Sequence, residues 1–158
     1  MNALPINLTP RAPLCFSVCV DESNAFNFKG HLYDGVNDRP HLFLSMDDFF
    51  RIMDREIDSH MYPQATVELR SFTADPARKA NRGRAMTMDK QKKTQQTIIP
   101  GQKATFVVHV RCRQNATWQG SVDWLEGKNS QKFRSSLELI KLIDSALQAE
   151  EVEKPTWE

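Results

Sequence analysis

Two stretches of the chain show the same order of hydrophobic patterns. In each, runs of alternating apolar and polar residues are followed by a segment with an apolar residue every three or four positions. Alternation is typical of strands with one buried face, and the wider spacing is typical of an amphipathic helix. The two stretches are residues 16–57 and 106–147, and they align without a gap when the chain is shifted by 90 positions.

Several positions that coincide at this offset carry the same type of residue, apolar or glycine. The apolar pairs are Phe16 with Phe106, Val18 with Val108, Val20 with Val110, Phe28 with Trp118 and Phe43 with Phe133. Gly30 coincides with Gly120 in the middle of a predicted strand. Glycine lowers strand propensity there, so the match indicates a β-bulge or the close approach of another element. A packing glycine beside an aromatic ring is the simpler explanation.

Both predicted helices have a start signal. Ser135 and Glu138 have the spacing of a capping box, and Ser45 with Asp48 is a weaker version. Each unit would be a three-stranded sheet with one helix, and pairing two such units would bury far more apolar surface than either holds alone. We therefore predict an α+β fold of two tandem β-β-β-α repeats with pseudo-two-fold symmetry, each with an antiparallel sheet and one helix.

The repeats divide the chain into five segments. Prolines near the N-terminus favour extended backbone, and a stretch with little apolar periodicity separates the repeats. The predicted segments are an extended N-terminal arm (1–14), the first repeat with one extra strand at 65–72 (15–72), a basic flexible linker (73–103), the second repeat (104–148) and an acidic tail that frays (149–158).

Composition is that of a soluble globular protein. Hydrophobic residues make up 40% and charged residues 26% of the 158 positions. No apolar run has the length of a membrane span, and the N-terminus lacks a secretory signal pattern. The three cysteines follow no disulfide framework, which suits a reducing compartment. We therefore expect a cytoplasmic protein with no membrane partner.

The net charge of +1 is unevenly distributed. Residues 78–93 contain seven basic residues and one acidic residue. Within this run, arginine side chains suit bidentate recognition of phosphate. The candidate anion-binding or nucleic-acid-binding residues are Arg78, Lys79, Arg82 and Arg84. The simpler alternative is a solvated linker, because disordered linkers are commonly charged.

No catalytic or metal-binding signature is evident in the sequence. Asp54, Asp58 and His60 are close enough along the predicted helix to suggest an oxygen-rich metal site, but a solvated helix face explains them more simply. The chain has neither a nucleophile elbow nor a glycine-rich phosphate loop. We therefore predict that the protein is not an enzyme, with no catalytic residue, no metal ligand and no cofactor.

Two short motifs have spacings that are typical of one family of ligand-binding domains. Arg78 and Arg82 have the spacing RxxxR. Asn115, Thr117 and Gly120 have the spacing [DN]xSxxG, with threonine at the serine position. Together they resemble the motifs of PilZ domains, which bind cyclic di-GMP, and the resemblance implies a cyclic dinucleotide as ligand. Hairpin geometry explains the second motif without a ligand.

A longer segment is similar to a group of small uncharacterised bacterial proteins. It contains WQG followed by FRSSLELIKLIDSAL, within residues 104–148. The resemblance implies a bacterial origin and a small non-enzymatic domain. We predict a non-catalytic bacterial interaction or regulatory module that acts by binding a protein partner. The alternative is a protein that binds nucleic acid or a cyclic dinucleotide through the basic linker.

Overall fold

A computed structural model of the chain describes most of its residues. The described residues are 4–5, 14–25, 27–34, 39–60, 72 and 97–153. The extra strand predicted at 65–72 lies outside them apart from its last residue, as does most of the basic linker.

Ten elements are present in the described residues. They are β1 (Leu4–Pro5), β2 (Leu14–Asn24), β3 (Asn27–Asp34), β4 (His41–Phe43), α1 (Met46–Ser59), β5 (Thr97–Ile98), β6 (Ala104–Cys112), β7 (Gln119–Trp124), β8 (Asn129–Phe133) and α2 (Ser136–Glu153). Six strands form one antiparallel sheet in the order β4-β3-β2-β6-β7-β8, and β1 pairs with β5 separately. The α+β class is confirmed. We call β2 to α1 the first half and β6 to α2 the second half.

Neither helix in the described part of the chain has the combination of length and apolar character that crossing a membrane requires.

The two halves meet at the centre of the sheet, where β2 pairs with β6. Phe16 lies opposite Val108, and Val18 lies opposite Phe106. Because Val108 and Phe106 are the residues that match Val18 and Phe16 at the 90-position offset, exchanging the two strands reproduces the same pairs. The register of β2 with β3 likewise matches that of β6 with β7 at this offset, including one irregularity in each ladder.

The matched glycines lie beside these two β-bulges. A Cβ atom on Gly30 would collide with the backbone oxygen of Cys19, and one on Gly120 would collide with that of His109. Neither glycine has a positive φ angle. Glycine is therefore required by the close approach of the bulged neighbouring strand, rather than by an unusual backbone conformation.

The two helices cover one face of the sheet and form a continuous core with it. Alternate residues of the strands point into this core, where they meet the apolar stripes of both helices. Four pairs of residues that coincide at the 90-position offset are buried in this core: Phe28 and Trp118, Phe43 and Phe133, Phe49 and Leu139, and Met53 and Ile143.

Both predicted helix starts are confirmed. The backbone N–H of Asp48 donates to Ser45 Oγ at 3.1 Å, and that of Glu138 donates to Ser135 Oγ at 3.1 Å. The second helix extends to Glu153, further than the boundary predicted at 148, so the first residues of the predicted tail are helical.

Polar contacts also join the halves on the helix side. Trp118 Nε1 donates to Asp54 Oδ1 at 3.0 Å, and Arg113 Nη1 donates to Asp58 Oδ1 at 2.7 Å. The Phe50 and Trp118 ring centroids are 5.4 Å apart. The two carboxylates considered above as metal ligands therefore bind side chains of the other half.

Candidate functional site

The face of the sheet away from the helices differs between the two halves. In the first half, the segment 97–103 lies against it, and Ile98 is buried with Cys19 and Tyr33. This segment is the end of the linker predicted to be flexible. The difference from that expectation has a physical cause, because burying an apolar isoleucine side chain stabilises the docked position.

Side chains of the sheet bind the backbone of this segment. His31 Nε2 lies 2.9 Å from the carbonyl oxygen of Ile99, whose N–H donates to the Tyr33 hydroxyl oxygen at 3.4 Å. The N–H of Gln102 donates to Asp21 Oδ1 at 3.1 Å. The outer face of the first half is therefore a surface that holds a stretch of polypeptide through its main-chain groups.

In the second half, the corresponding face forms a groove with a volume of about 530 Å³. Its lining residues come from β6, β7 and β8 and are mostly polar or charged. They are His109, Arg111, Ser121, Asp123, Ser130, Gln131 and Lys132. We call this feature the polar groove.

The polar groove and the surface that binds the segment 97–103 occupy matching positions. The register of the strands places the four groove residues of β6 and β7 at the 90-position offset from four residues of β2 and β3. The matching pairs are Cys19 with His109, Asp21 with Arg111, His31 with Ser121 and Tyr33 with Asp123. The same region of the sheet is thus lined by different residue types in the two halves.

The charges in the polar groove are partly paired. Asp123 Oδ2 lies 3.3 Å from His109 Nε2, and Asp123 Oδ1 accepts a hydrogen bond from Ser130 Oγ. Arg111 and Lys132 are exposed, and neither forms an ion pair with any other residue that the structure describes. Two cationic groups therefore border the groove and remain available to an anionic ligand.

The residues proposed from the sequence as an anion-binding set have no described position. Arg78, Lys79, Arg82 and Arg84 all lie outside the described residues. The polar groove was not predicted, although the sequence carries a signal for it. His109, Arg111, Ser121 and Asp123 are the polar members of alternating strands, and their apolar neighbours are in the core.

The second motif that resembles PilZ domains has a structural role. Asn115 and Ala116 have φ angles of 53° and 59° in the turn between β6 and β7. Thr117 Oγ1 accepts a hydrogen bond of 2.8 Å from the backbone N–H of Ser136, the first residue of α2. Gly120 allows the bulged strand to approach. These contacts link the turn to the start of the second helix.

One group of residues in the described part of the chain has the proximity that a metal ion requires. It consists of Asp34, His41 and Glu56, on the helix side of the first half. It is separate from the polar groove, since the two lie on opposite faces of the sheet.

Comparison of the chain with models of protein families, with curated proteins and with solved structures gave no match.

Proposed function

We propose that this protein is a non-catalytic interaction module that binds an extended acidic segment of a protein partner in the polar groove. The observation that carries the proposal is the pair of exposed cations, Arg111 and Lys132, at the border of a groove lined by hydrogen-bonding side chains. An anionic segment in the groove would give both cations a partner.

The first half supports an extended segment as the occupant. There the matching surface holds the chain's own residues 98–102 through hydrogen bonds between side chains and backbone groups. In the polar groove, Ser121 and Arg111 can donate to carbonyl oxygens, and Asp123 can accept from an N–H group. These are the same kinds of contact, with positive charge added.

The lack of large aromatic side chains favours a protein segment over a nucleic acid. Binding of single strands commonly uses aromatic side chains on which bases stack, and no Phe, Tyr or Trp is among the residues that line the polar groove. A nucleic acid or a cyclic dinucleotide bound through Arg78, Lys79, Arg82 and Arg84 is the alternative that the experiment below separates.

We further propose that the chain is a tandem of two β-β-β-α repeats with pseudo-two-fold symmetry. The proposal is supported by matching strand registers, by matching bulges and glycines, and by N-capping serines at the same offset. On this basis the two outer faces are equivalent surfaces that have diverged, one for the chain's own segment and one for a partner. A cytoplasmic location is supported by the three free cysteine thiols.

The test is a binding titration that uses a fluorescent peptide of alternating glutamate and serine as the probe. We expect the wild-type protein to bind it, and the double variant Arg111→Ala/Lys132→Ala to bind at least about tenfold more weakly, since two charge-assisted contacts are lost. The matched control is Arg51→Ala/Lys141→Ala, which removes the same charge from exposed positions on the two helices. It should bind like the wild type.

Two results would contradict the proposal. One is an equal loss of affinity in the control variant, which would indicate a response to net charge alone. The other is binding of duplex DNA or cyclic di-GMP that is unaffected by the groove variant and lost in Arg78→Ala/Lys79→Ala/Arg82→Ala/Arg84→Ala. A steep dependence on salt would then identify a polynucleotide.

A further inference from the structure

Three ionisable side chains converge on the helix side of the first half. Asp34 ends β3, His41 begins β4, and Glu56 lies in α1. His41 Nε2 is 3.7 Å from Asp34 Oδ2 and 3.7 Å from Glu56 Oε1. One ligand atom from each residue lies within 4.8 Å of the other two. We propose that these three side chains, the His41 cluster, bind a divalent transition-metal ion of the Zn²⁺ type.

Hydrogen bonds of the His41 ring do not account for its position. Two carboxylate oxygens face a single ring nitrogen, which carries at most one hydrogen, and 3.7 Å is too long for an N–H···O bond. His41 Nε2 is buried and has no hydrogen-bond partner among the described residues. A buried polar nitrogen without a partner costs free energy, and coordination to a metal ion would offset that cost.

The distances suit a metal ion. Ligand atoms at about 2.1 Å from Zn²⁺ can be up to about 4.2 Å apart, so both 3.7 Å separations are compatible with one shared ion. The third separation, between the two carboxylates, is at most 4.8 Å. The Asp34 side chain is 1% exposed and that of Glu56 is 12% exposed, so a bound cation would interact with both carboxylates in a site that is largely shielded from water.

Glu56 also pairs with a residue on the surface. Arg55 Nε lies 3.5 Å from Glu56 Oε1, and the Arg55 side chain is 66% exposed. Exposed ion pairs contribute little, because solvent screens them and the arginine side chain loses rotamer freedom. This pair would therefore compete only weakly with a metal ion for the Glu56 carboxylate.

The second half provides an internal comparison. At the 90-position offset, Asp34 corresponds to Trp124, His41 to Gln131 and Glu56 to Ala146. The same corner between two strands and a helix is thus built there without an ionisable side chain, and Ala146 is part of the core. The fold does not require the His41 cluster, which supports a role in binding a ligand.

The set of donor atoms defines the class of metal. One imidazole nitrogen and two carboxylate oxygens suit Zn²⁺ and related transition metals, whereas Mg²⁺ prefers oxygen ligands and retains several waters. Three protein ligands leave a further coordination position for water or for a group from a partner.

The test is calorimetric titration of the full chain with ZnCl2 after removal of metals by a chelator, with MgCl2 as the comparison. We expect one Zn²⁺ per chain, a raised Tm on binding, and much weaker binding of Mg²⁺. His41→Gln introduces the residue found at the matching position, and Glu56→Gln is isosteric. Each should lower Zn²⁺ affinity at least about tenfold. Asp47→Asn, which alters an exposed carboxylate of α1, should bind Zn²⁺ like the wild type.

A spectrum of the Co²⁺-loaded wild-type protein gives a readout that does not depend on how the variants fold. Ligation by nitrogen and oxygen predicts d–d bands without a thiolate charge-transfer band. Strong thiolate absorption would place the metal at the cysteines and overturn the proposal. So would failure of the wild-type chain to bind Zn²⁺ stoichiometrically, or unchanged affinity in both cluster variants.

Discussion

At the scale of single residues, burial sets the chemistry of two of the three thiols. Burial raises the pKa of Cys15 from 9.0 to about 12, and the charge of Asp123 adds to this effect. Burial also raises the pKa of Cys19 to about 12, with a further contribution from Asp21. Thiolate is the reactive form, so both cysteines are held in an unreactive state at neutral pH.

We therefore predict that iodoacetamide at pH 8 modifies Cys112 first, because the raised pKa values of Cys15 and Cys19 keep those two thiols protonated. Mass spectrometry of the native protein should show one rapidly modified site, and all three sites should react in denaturant. Rapid modification of Cys15 or Cys19 in the native protein would contradict this prediction.

The same pKa shifts predict how stability depends on pH. Above about pH 9 the unfolded chain loses its thiol protons, while the folded chain keeps those of Cys15 and Cys19 until about pH 12. The unfolded state then binds fewer protons, so the free energy of unfolding should fall as pH rises through this range. Replacing both cysteines by alanine should reduce that fall, as measured by urea denaturation at pH 8 and pH 10.

At the scale of elements, each helix begins at a serine whose hydroxyl group satisfies a backbone N–H group. The acidic residue three positions later, Asp48 or Glu138, lies in the first turn, where negative charge interacts favourably with the helix dipole. Because α1 and α2 each cover part of the sheet, the orientation of their first turns fixes which side chains enter the core.

Removal of either cap should destabilise the protein by a similar amount. We predict that Ser45→Ala and Ser135→Ala each lower the free energy of unfolding by about 1 kcal/mol, measured by urea denaturation. The effects should add, since the two caps share no partner. Ser135→Asp should retain most of the wild-type stability, because aspartate also accepts a hydrogen bond at the N-cap. Ser145→Ala, at an exposed position within α2, should change stability by less than about 0.5 kcal/mol.

At the scale of the whole molecule, the two halves share one core. Trp118 of the second half contacts Phe50 and donates its indole N–H to Asp54, and both partners belong to α1. The central pairing of β2 with β6 continues the sheet through both halves. Separation of the halves would expose the core of each, so we expect them to unfold together.

Trp118→Ala should test this coupling. Loss of a buried aromatic side chain should cost about 3–5 kcal/mol, and the variant should still unfold in a single transition. Circular dichroism and fluorescence during urea denaturation measure both quantities. Leu137→Ala, at an apolar position that is 61% exposed, should cost no more than about 0.5 kcal/mol. Two separate transitions in the wild-type protein would show that the halves are independent.

The local features of the fold can be predicted from the sequence alone. Alternation along the strands identified the buried positions, the serine–acid spacing identified both helix starts, and the coincident Gly30 and Gly120 indicated a bulge or a close approach. These features depend on the period of the backbone and on contacts over a few residues, so a linear pattern records them. For the same reason the sequence indicates the polar faces of β6 and β7. It does not indicate that these faces form a groove.

Contacts between residues that are far apart in the sequence can be seen only in the tertiary structure. The pairing of β2 with β6, the docking of Ile98 on the outer face, and the convergence of Asp34, His41 and Glu56 depend on strand order and on how a helix lies against the sheet. The spacing of apolar and polar residues along the chain does not reveal these contacts. The residues are separated in sequence and come together only when the chain packs into one core.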